Sequence, residues 1–95
     1  MGVVINVSYN GVGDSARKFV ESMITEGVLE AVRAEDGCLG YEYFISMDDP
    51  GRVLLVEHWR DESSLDAHTN SDNMRAIGAL KERHGLTAAI EKFLV

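Results

Sequence analysis

A few polar side chains stand on otherwise apolar surfaces, and their types could do chemistry. Glu57 and Trp59 share one face of a predicted strand with Leu55. A carboxylate on such a face costs free energy unless it is paired. One interpretation is therefore structural, with Glu57 paired to Arg17 or Arg75 and Trp59 in the core. The other is that both residues border a ligand site.

His68 carries the side chain best suited to proton transfer near neutral pH. It follows Leu65 by three positions, so both can face inward from one helix. A single inward histidine is also common as a structural residue, and both interpretations stay open. Asn6 interrupts an apolar strand and is a further hydrogen-bonding candidate. Tyr41 and Tyr43 fall on one strand face, where they would give a cavity aromatic walls and hydroxyl tips.

The signature motifs of several enzyme classes do not occur in the chain. The stretch 11–13 is too short for either nucleotide-binding fingerprint, and there is no Gly-x-Ser-x-Gly, HExxH or CxxC. The three histidines are not at metal-ligand spacing, so we expect no metal site. Cys38 has no basic neighbour to favour its thiolate and is interpreted as a small buried hydrophobe. Flavin, nicotinamide and zinc enzymes are disfavoured.

Length and charge limit the classes of partner. The chain has 95 residues, which predicts a single domain over residues 1–95 without a separate cofactor-binding module. The formal net charge is −7, and the nine basic residues form no run of Lys or Arg. Nucleic acids and anionic membranes attract concentrated positive patches, so we expect neither as a partner. With no leader or long apolar stretch visible, the expected location is cytoplasmic.

Hydrophobic periodicity predicts the elements that must position these side chains. The predicted order is a strand over 3–9, an amphipathic helix over 16–34, strands over 39–47 and 52–60, a short helix through His68, a helix over 71–84 and a last strand over 87–95. Asp48 to Gly51 form a turn that makes the two middle strands an antiparallel hairpin. Ser63 and Asp66 fit a capping box at the start of the short helix. The composition of the last segment also suits a helix.

This order is β-α-β-β-α-β, which predicts the ferredoxin-like, split βαβ arrangement of the α+β class. Its helices cover one face of an antiparallel sheet and leave the other face bare. The third strand is apolar on both faces, with Leu54 and Val56 on one and Leu55 and Trp59 on the other. We therefore expect a homodimer packed sheet to sheet.

Four short motifs follow one another between Glu35 and Ser71. They are Glu35-x-Gly37-Cys38-Leu39-x-Tyr41, Asp49-Pro50, Leu55-x-Glu57-x-Trp59-x-Asp61 and Leu65-x-Ala67-His68-x-x-Ser71. In this order and spacing they resemble the antibiotic biosynthesis monooxygenase (ABM) domain family. The resemblance implies a dimeric α+β barrel, built from two ferredoxin-like subunits, with a pocket between the sheet and the helices of each.

Members of that family include monooxygenases that oxidise quinols and polycyclic phenols without flavin, haem or metal. A deprotonated phenol or enol is electron-rich enough to reduce dioxygen directly, so the resemblance implies molecular oxygen as co-substrate and no cofactor. The protein would supply a dry apolar pocket, a base and hydrogen bonds to the oxyanion. The implied roles are His68 as base or proton relay, Asn6 as oxyanion donor, Trp59 and Tyr41 as walls, and Glu57 as orienting partner.

Three functions stay open at this point. The first is a cofactor-independent monooxygenase acting on a small quinol-like or phenolic aromatic. The second is an isomerase or decarboxylase acting on a small oxygenated metabolite, and the third is a non-catalytic dimeric module that binds a small hydrophobic ligand. Haem-degrading members of the family use an Asn, a Trp and a ligating His. Here the one Trp lies on the third strand and Gly78 stands near the expected ligand position, which argues against haem degradation.

Overall fold

Four antiparallel strands form one sheet, in which the second, third, first and fourth strands of the chain lie side by side in that order, with helices on one side. The computed structural model describes residues 1–95. Its elements are β1 (Val3–Asn10), α1 (Ser15–Thr25), α2 (Val28–Arg33), β2 (Cys38–Ile45), β3 (Arg52–Trp59), α3 (Glu62–Thr69), α4 (Asp72–Arg83) and β4 (Thr87–Leu94). This topology confirms the predicted ferredoxin-like α+β fold, and the last segment is a strand.

The first helical region is divided, so the prediction of one continuous helix over 16–34 is wrong. α1 ends at Thr25 and α2 begins at Val28. Between them Gly27 has φ of +76°, a left-handed conformation that ends a helix and that glycine adopts without steric cost. Periodicity continues across the break because both helices bury their apolar sides against the same sheet.

Asp61 starts α3, so the predicted capping box of Ser63 and Asp66 is wrong. The Asp61 carboxylate accepts a hydrogen bond from the backbone N–H of Ser64 at 2.8 Å. The chain leaves β3 at Trp59, and an aspartate two residues later caps the helix before Ser63 can do so. This start places His68 on the inner side of α3, where 3% of the residue is exposed.

Alternation along the strands separates two faces of the sheet. The face beneath the helices, called the covered face below, carries the buried strand residues Val3, Ile5, Val7, Tyr9, Tyr41, Val53, Leu55, Glu57 and Trp59. Phe19, Met23, Ile77 and Leu80 of α1 and α4 close the core above them. Glu57 is the only acidic residue among these strand positions.

The opposite face, called the open face below, has no helix against it. Its half-buried residues include Val4, Asn6, Ser8, Leu54, Val56 and His58. Phe44 and Phe93 lie at its two sides and are 47% and 46% exposed. Both faces of β3 are thus apolar, as the sequence predicts. The longest helix of the chain has 12 residues, and no helix is long and apolar enough to cross a membrane.

Candidate functional site

A cavity of about 340 Å³ lies between the covered face and helices α3 and α4. Nine of its fourteen lining residues are hydrophobic. The lining consists of Ile5, Val7, Tyr9, Tyr41, Glu57, Leu65, His68, Thr69, Met74, Ile77, Gly78, Lys81, Ala88 and Ile90. An apolar cavity with a few convergent polar groups is typical of a small-molecule site.

His68 forms a close pair with Glu35. Its Nδ1 lies 2.9 Å from Oε2 and 3.1 Å from Oε1 of that carboxylate, whose side chain is 16% exposed. The amide of Asn73, at the start of α4, donates a hydrogen bond to Glu35 Oε2 at 3.0 Å. A carboxylate accepts and does not donate, so this contact holds the proton on Nδ1. The lone pair of a neutral imidazole is then on Nε2.

Gly37 brings the loop that carries Glu35 against α3. It has φ of +84°, and a Cβ at this position would lie 2.1 Å from Oγ of Ser64. Any other residue would both adopt a strained backbone and collide with the helix. The glycine therefore allows residues 35–37 to pack beside α3, which places the carboxylate next to the histidine.

Glu57 and Trp59 contact each other on the covered face, because residues two apart on a strand point the same way. The indole Nε1–H donates to Glu57 Oε1 at 2.9 Å. Burial raises the pKa of Glu57, although the indole hydrogen bond and the positive charge available to His68 oppose the rise. Arg17 and Arg75 were the predicted partners of Glu57. Arg75 instead pairs with Asp72, and the observed partner of Glu57 is Trp59.

Trp59 also supports the histidine. The indole and imidazole rings are stacked, with centroids 4.6 Å apart and planes inclined by 27°. His68 Nε2 lies 4.0 Å from Glu57 Oε1, which is beyond hydrogen-bond distance. Nε2 consequently has no hydrogen-bond partner within the chain, while its ring is held on one side by Glu35 and on one face by Trp59.

Three tyrosines surround this acid–base cluster from the strands. Burial raises the pKa of Tyr9, Tyr41 and Tyr43, so all three hydroxyls stay protonated across the physiological range. Tyr9 and Tyr41 line the cavity. Tyr43 does not, and its hydroxyl is buried without a hydrogen-bond partner. The rings of Tyr41 and His68 pack edge to face, with their centroids 6.1 Å apart.

The structure brings together only part of the set predicted from the sequence. His68, Glu57 and Tyr41 line one cavity. Trp59 lies behind them with no exposed area, so it supports the lining rather than forming a wall. Asn6 is on the open face, between Val56 and Glu91 of the neighbouring strands. The expectation that Asn6 joins His68 is wrong, because it alternates with Ile5 and Val7, which point into the cavity.

Polar residues of the site that were not predicted from the sequence include Glu35, Asn73 and Lys81, and Thr69 on the cavity lining. Glu35 precedes His68 by 33 positions, so no local spacing connects them. Its place at the head of the Glu-x-Gly-Cys-Leu motif was the one available signal. Asn73 and Lys81 lie on α4 among ordinary surface residues, and no sequence signal pointed to them. Across the whole chain, no group of three or more His, Cys, Asp or Glu side chains is arranged to hold a metal ion.

Residues 2–80 match the family model described as antibiotic biosynthesis monooxygenase. The matched range contains β1 through most of α4, and so every polar group of the cluster around His68. The chain belongs to this family. The resemblance seen in the motifs is thereby confirmed.

Relatives of this ABM protein agree with the assignment. Rv0793 of Mycobacterium tuberculosis, named as a proposed monooxygenase, is 38% identical over an alignment of 71 residues; the match covers 70% of this chain and 64% of that protein. Its solved structure superimposes with a TM-score of 0.82, covering 100% of this chain and 95% of that one at 24% identity. A proposed antibiotic biosynthesis monooxygenase from Deinococcus radiodurans gives a TM-score of 0.85 at 20% identity, covering 98% and 91%. The structural likenesses show the shared fold.

Proposed function

We propose that this ABM protein is a monooxygenase that oxidises a small quinol-like or phenolic aromatic with dioxygen and needs no cofactor. The observation that carries the proposal is His68, held by Glu35, on the wall of an apolar cavity. This arrangement combines a base held in one tautomer with a lining that is mostly apolar. Membership of the family supports the reaction class.

In this mechanism Nε2 of His68 takes the proton of the substrate's phenol or enol. Glu35 stabilises the resulting imidazolium at 2.9 Å, and Glu57, at 4.0 Å from Nε2, adds to this effect when it is ionised. The stacked indole of Trp59 fixes the ring plane. The hydroxyl of Tyr41 replaces the amide of Asn6 as the donor that we assign to the substrate oxyanion. Tyr41 lines the cavity and its ring contacts His68, whereas Asn6 does not line the cavity.

The overall reaction balances without an external reductant. The deprotonated substrate transfers electrons to dioxygen, and a carbon of the electron-rich ring system then binds oxygen. When that carbon is a methylene, its two hydrogens are lost, one oxygen atom becomes a carbonyl oxygen and the other leaves as water. When it is a ring C–H of a hydroquinone, one oxygen atom becomes a hydroxyl group on the resulting quinone, and the other leaves as water with two hydrogens of the substrate. Four electrons leave the substrate and four reduce dioxygen, so the substrate does the work of a cofactor.

Oxygen uptake tests the proposal directly. Purified protein would be supplied with a panel of hydroquinones and hydroxylated polycyclic aromatics in the presence of isotopically labelled dioxygen. We expect uptake above the uncatalysed rate and one labelled atom in the product. Solvent deuterium exchange into the same compounds without oxygen uptake would favour the isomerase alternative. Thermal stabilisation without either reaction would favour a binding module.

We also propose that the active form is a homodimer joined through the open face. Six half-buried side chains, among them Val4, Leu54 and Val56, lie in the middle of that face without a covering element. Burying such a surface against a second copy would offset the thin core that a chain of 95 residues can build. The oligomeric state in solution tests this proposal.

A further inference from the structure

The cavity has two chemically different ends. Glu57 and His68 lie near the end of the sheet where β3 finishes, and Met74 covers that end from α4. Lys81 lies seven residues further along α4, or about 10 Å at the usual rise of a helix. At that end the lining of the covered face consists of Tyr9 and its cross-strand neighbour Ala88.

Lys81 is the only Lys or Arg on the cavity, and no carboxylate neutralises it. It takes part in no ion pair of the structure, although the chain has a net charge of −7 and acidic groups are plentiful. Five other basic residues pair with carboxylates, namely Lys18, Arg60, Arg75, Arg83 and Lys92. Arg17, Arg33 and Arg52 form no ion pair either, but none of these three lines the cavity. Lys81 is half-buried and lines the cavity, so its positive charge acts on an anion that enters there.

Gly78 is the lining residue of α4 next to Lys81. It lies three residues before Lys81 and therefore on the same side of α4. A Cβ added at Gly78 would meet no atom within 4 Å. Neighbouring protein atoms thus do not require a glycine here. Gly78 lines the cavity, so this turn of α4 presents backbone without a side chain next to Lys81.

We propose that the end of the cavity at Gly78 and Lys81 binds an anionic substituent of the substrate. The inference rests on the proposed function and narrows its substrate class to phenolic or enolic aromatics with a carboxylate at the far end from the reacting hydroxyl. Two charges set this orientation. Lys81 attracts the carboxylate, whereas Glu35 and Glu57 repel it from the end where His68 lies.

Calorimetric titration with two matched probes tests the subsite. The probes are para-hydroxycinnamate and its neutral amide, which have similar shapes and carry the phenol and the variable group at opposite ends. We expect the wild-type protein to bind the carboxylate about fivefold to tenfold more tightly than the amide. The preference should shrink as ionic strength rises.

Variants of the lysine decide whether Lys81 is responsible. Lys81→Met should abolish the preference, Lys81→Arg should keep it, and Lys92→Met should keep it because Lys92 pairs with Glu62 away from the cavity lining. Circular dichroism would verify that each variant folds. The inference fails if Lys81→Met retains the full preference, if the wild-type protein shows none, or if neither probe binds at millimolar concentration.

Binding and turnover separate this inference from the proposed function. Selective carboxylate binding that depends on Lys81, without oxygen uptake on any phenol, would leave the subsite standing and overturn the monooxygenase proposal. Oxygen uptake that is equally fast for the matched acid and amide, in wild type and in Lys81→Met, would overturn the subsite and leave the monooxygenase proposal standing.

Discussion

The two faces of the sheet treat polar side chains differently. On the covered face, Glu57 accepts a hydrogen bond from Trp59 and contributes to the cluster around His68. On the open face, Asn6, Ser8 and His58 are half-buried, and their side chains make no hydrogen bond within the chain. Buried polar groups need partners, and on the covered face the chain supplies most of them, although the hydroxyl of Tyr43 has none. The other face has the polar and apolar groups of a surface that a partner would complete.

The contrast teaches that one strand can serve two purposes through alternation alone. Along β3, Val53, Leu55, Glu57 and Trp59 build the core and the site, whereas Leu54, Val56 and His58 face outward. A substitution on one face should therefore affect chemistry and folding, and a substitution on the other should affect assembly. Four predictions test this division.

His68→Gln should produce the largest effect. Glutamine keeps a polar side chain on α3 but cannot act as a base, so turnover of the oxidised substrate should fall by about a hundredfold or more. Oxygen uptake measures the loss. The matched control is His58→Gln on the open face, which should leave the rate within about twofold of wild type. Equal losses in the two variants would remove the distinction between the faces.

Val56→Arg should break assembly. An arginine in the middle of the open face would place an unpaired charge in the proposed interface, which should weaken the dimer by about a hundredfold in Kd, or about 2.7 kcal/mol. Light scattering during size-exclusion chromatography gives the mass in solution. Lys81→Met, which changes only the covered side, should elute as the wild type does. A wild-type protein that is already monomeric would contradict the dimer proposal.

Glu57→Gln should change how stability depends on pH. Burial raises the pKa of Glu57 above 4.5, so the folded state holds that proton more tightly than the unfolded chain does. The stability linked to the protonated form is complete below about pH 4.5 and is lost as the pH rises through the folded-state value. Glutamine cannot lose a proton, so the stability of the variant relative to the wild type should increase as the pH rises above 4.5. Urea unfolding at several pH values measures the stability of the wild type and of the variant. If the two stabilities change with pH in parallel, the expectation is contradicted.

Gly78→Ala should give the smallest effect, a gain in folding free energy of about 0.5–1 kcal/mol. Alanine is the better helix former, and its Cβ meets no atom within 4 Å. Gly27→Ala is the matched control. A Cβ there also enters open space, but φ of +76° makes that substitution destabilising by about 1–2 kcal/mol. Urea unfolding measures the change in the free energy of unfolding for each variant. A loss of stability in both variants would show that packing around α4 requires a glycine at position 78.

Much of this protein could be predicted from the sequence. Periodicity of two and of three to four residues located the four strands and the helices, and alternation on β3 placed Glu57 and Trp59 on one face. The same alternation in β1 already separated Asn6 from Ile5 and Val7. The error was to assign Asn6 by family resemblance against its own strand pattern. Hydrophobic periodicity also failed to predict the break at Gly27. The apolar pattern continues on both sides of this residue, but its left-handed backbone divides the segment into two helices.

The residues that make His68 a candidate base could not have been located in this way. Its proton is held by Glu35, from a loop 33 positions earlier, and that carboxylate is in turn held by Asn73 on the next helix. The motif order identified the family, which depends on residue types in sequence. The cavity, the stacking of Trp59 on His68 and the isolation of Lys81 depend on distances between elements. Those distances are set by how α3 and α4 pack on the sheet, which no local pattern encodes.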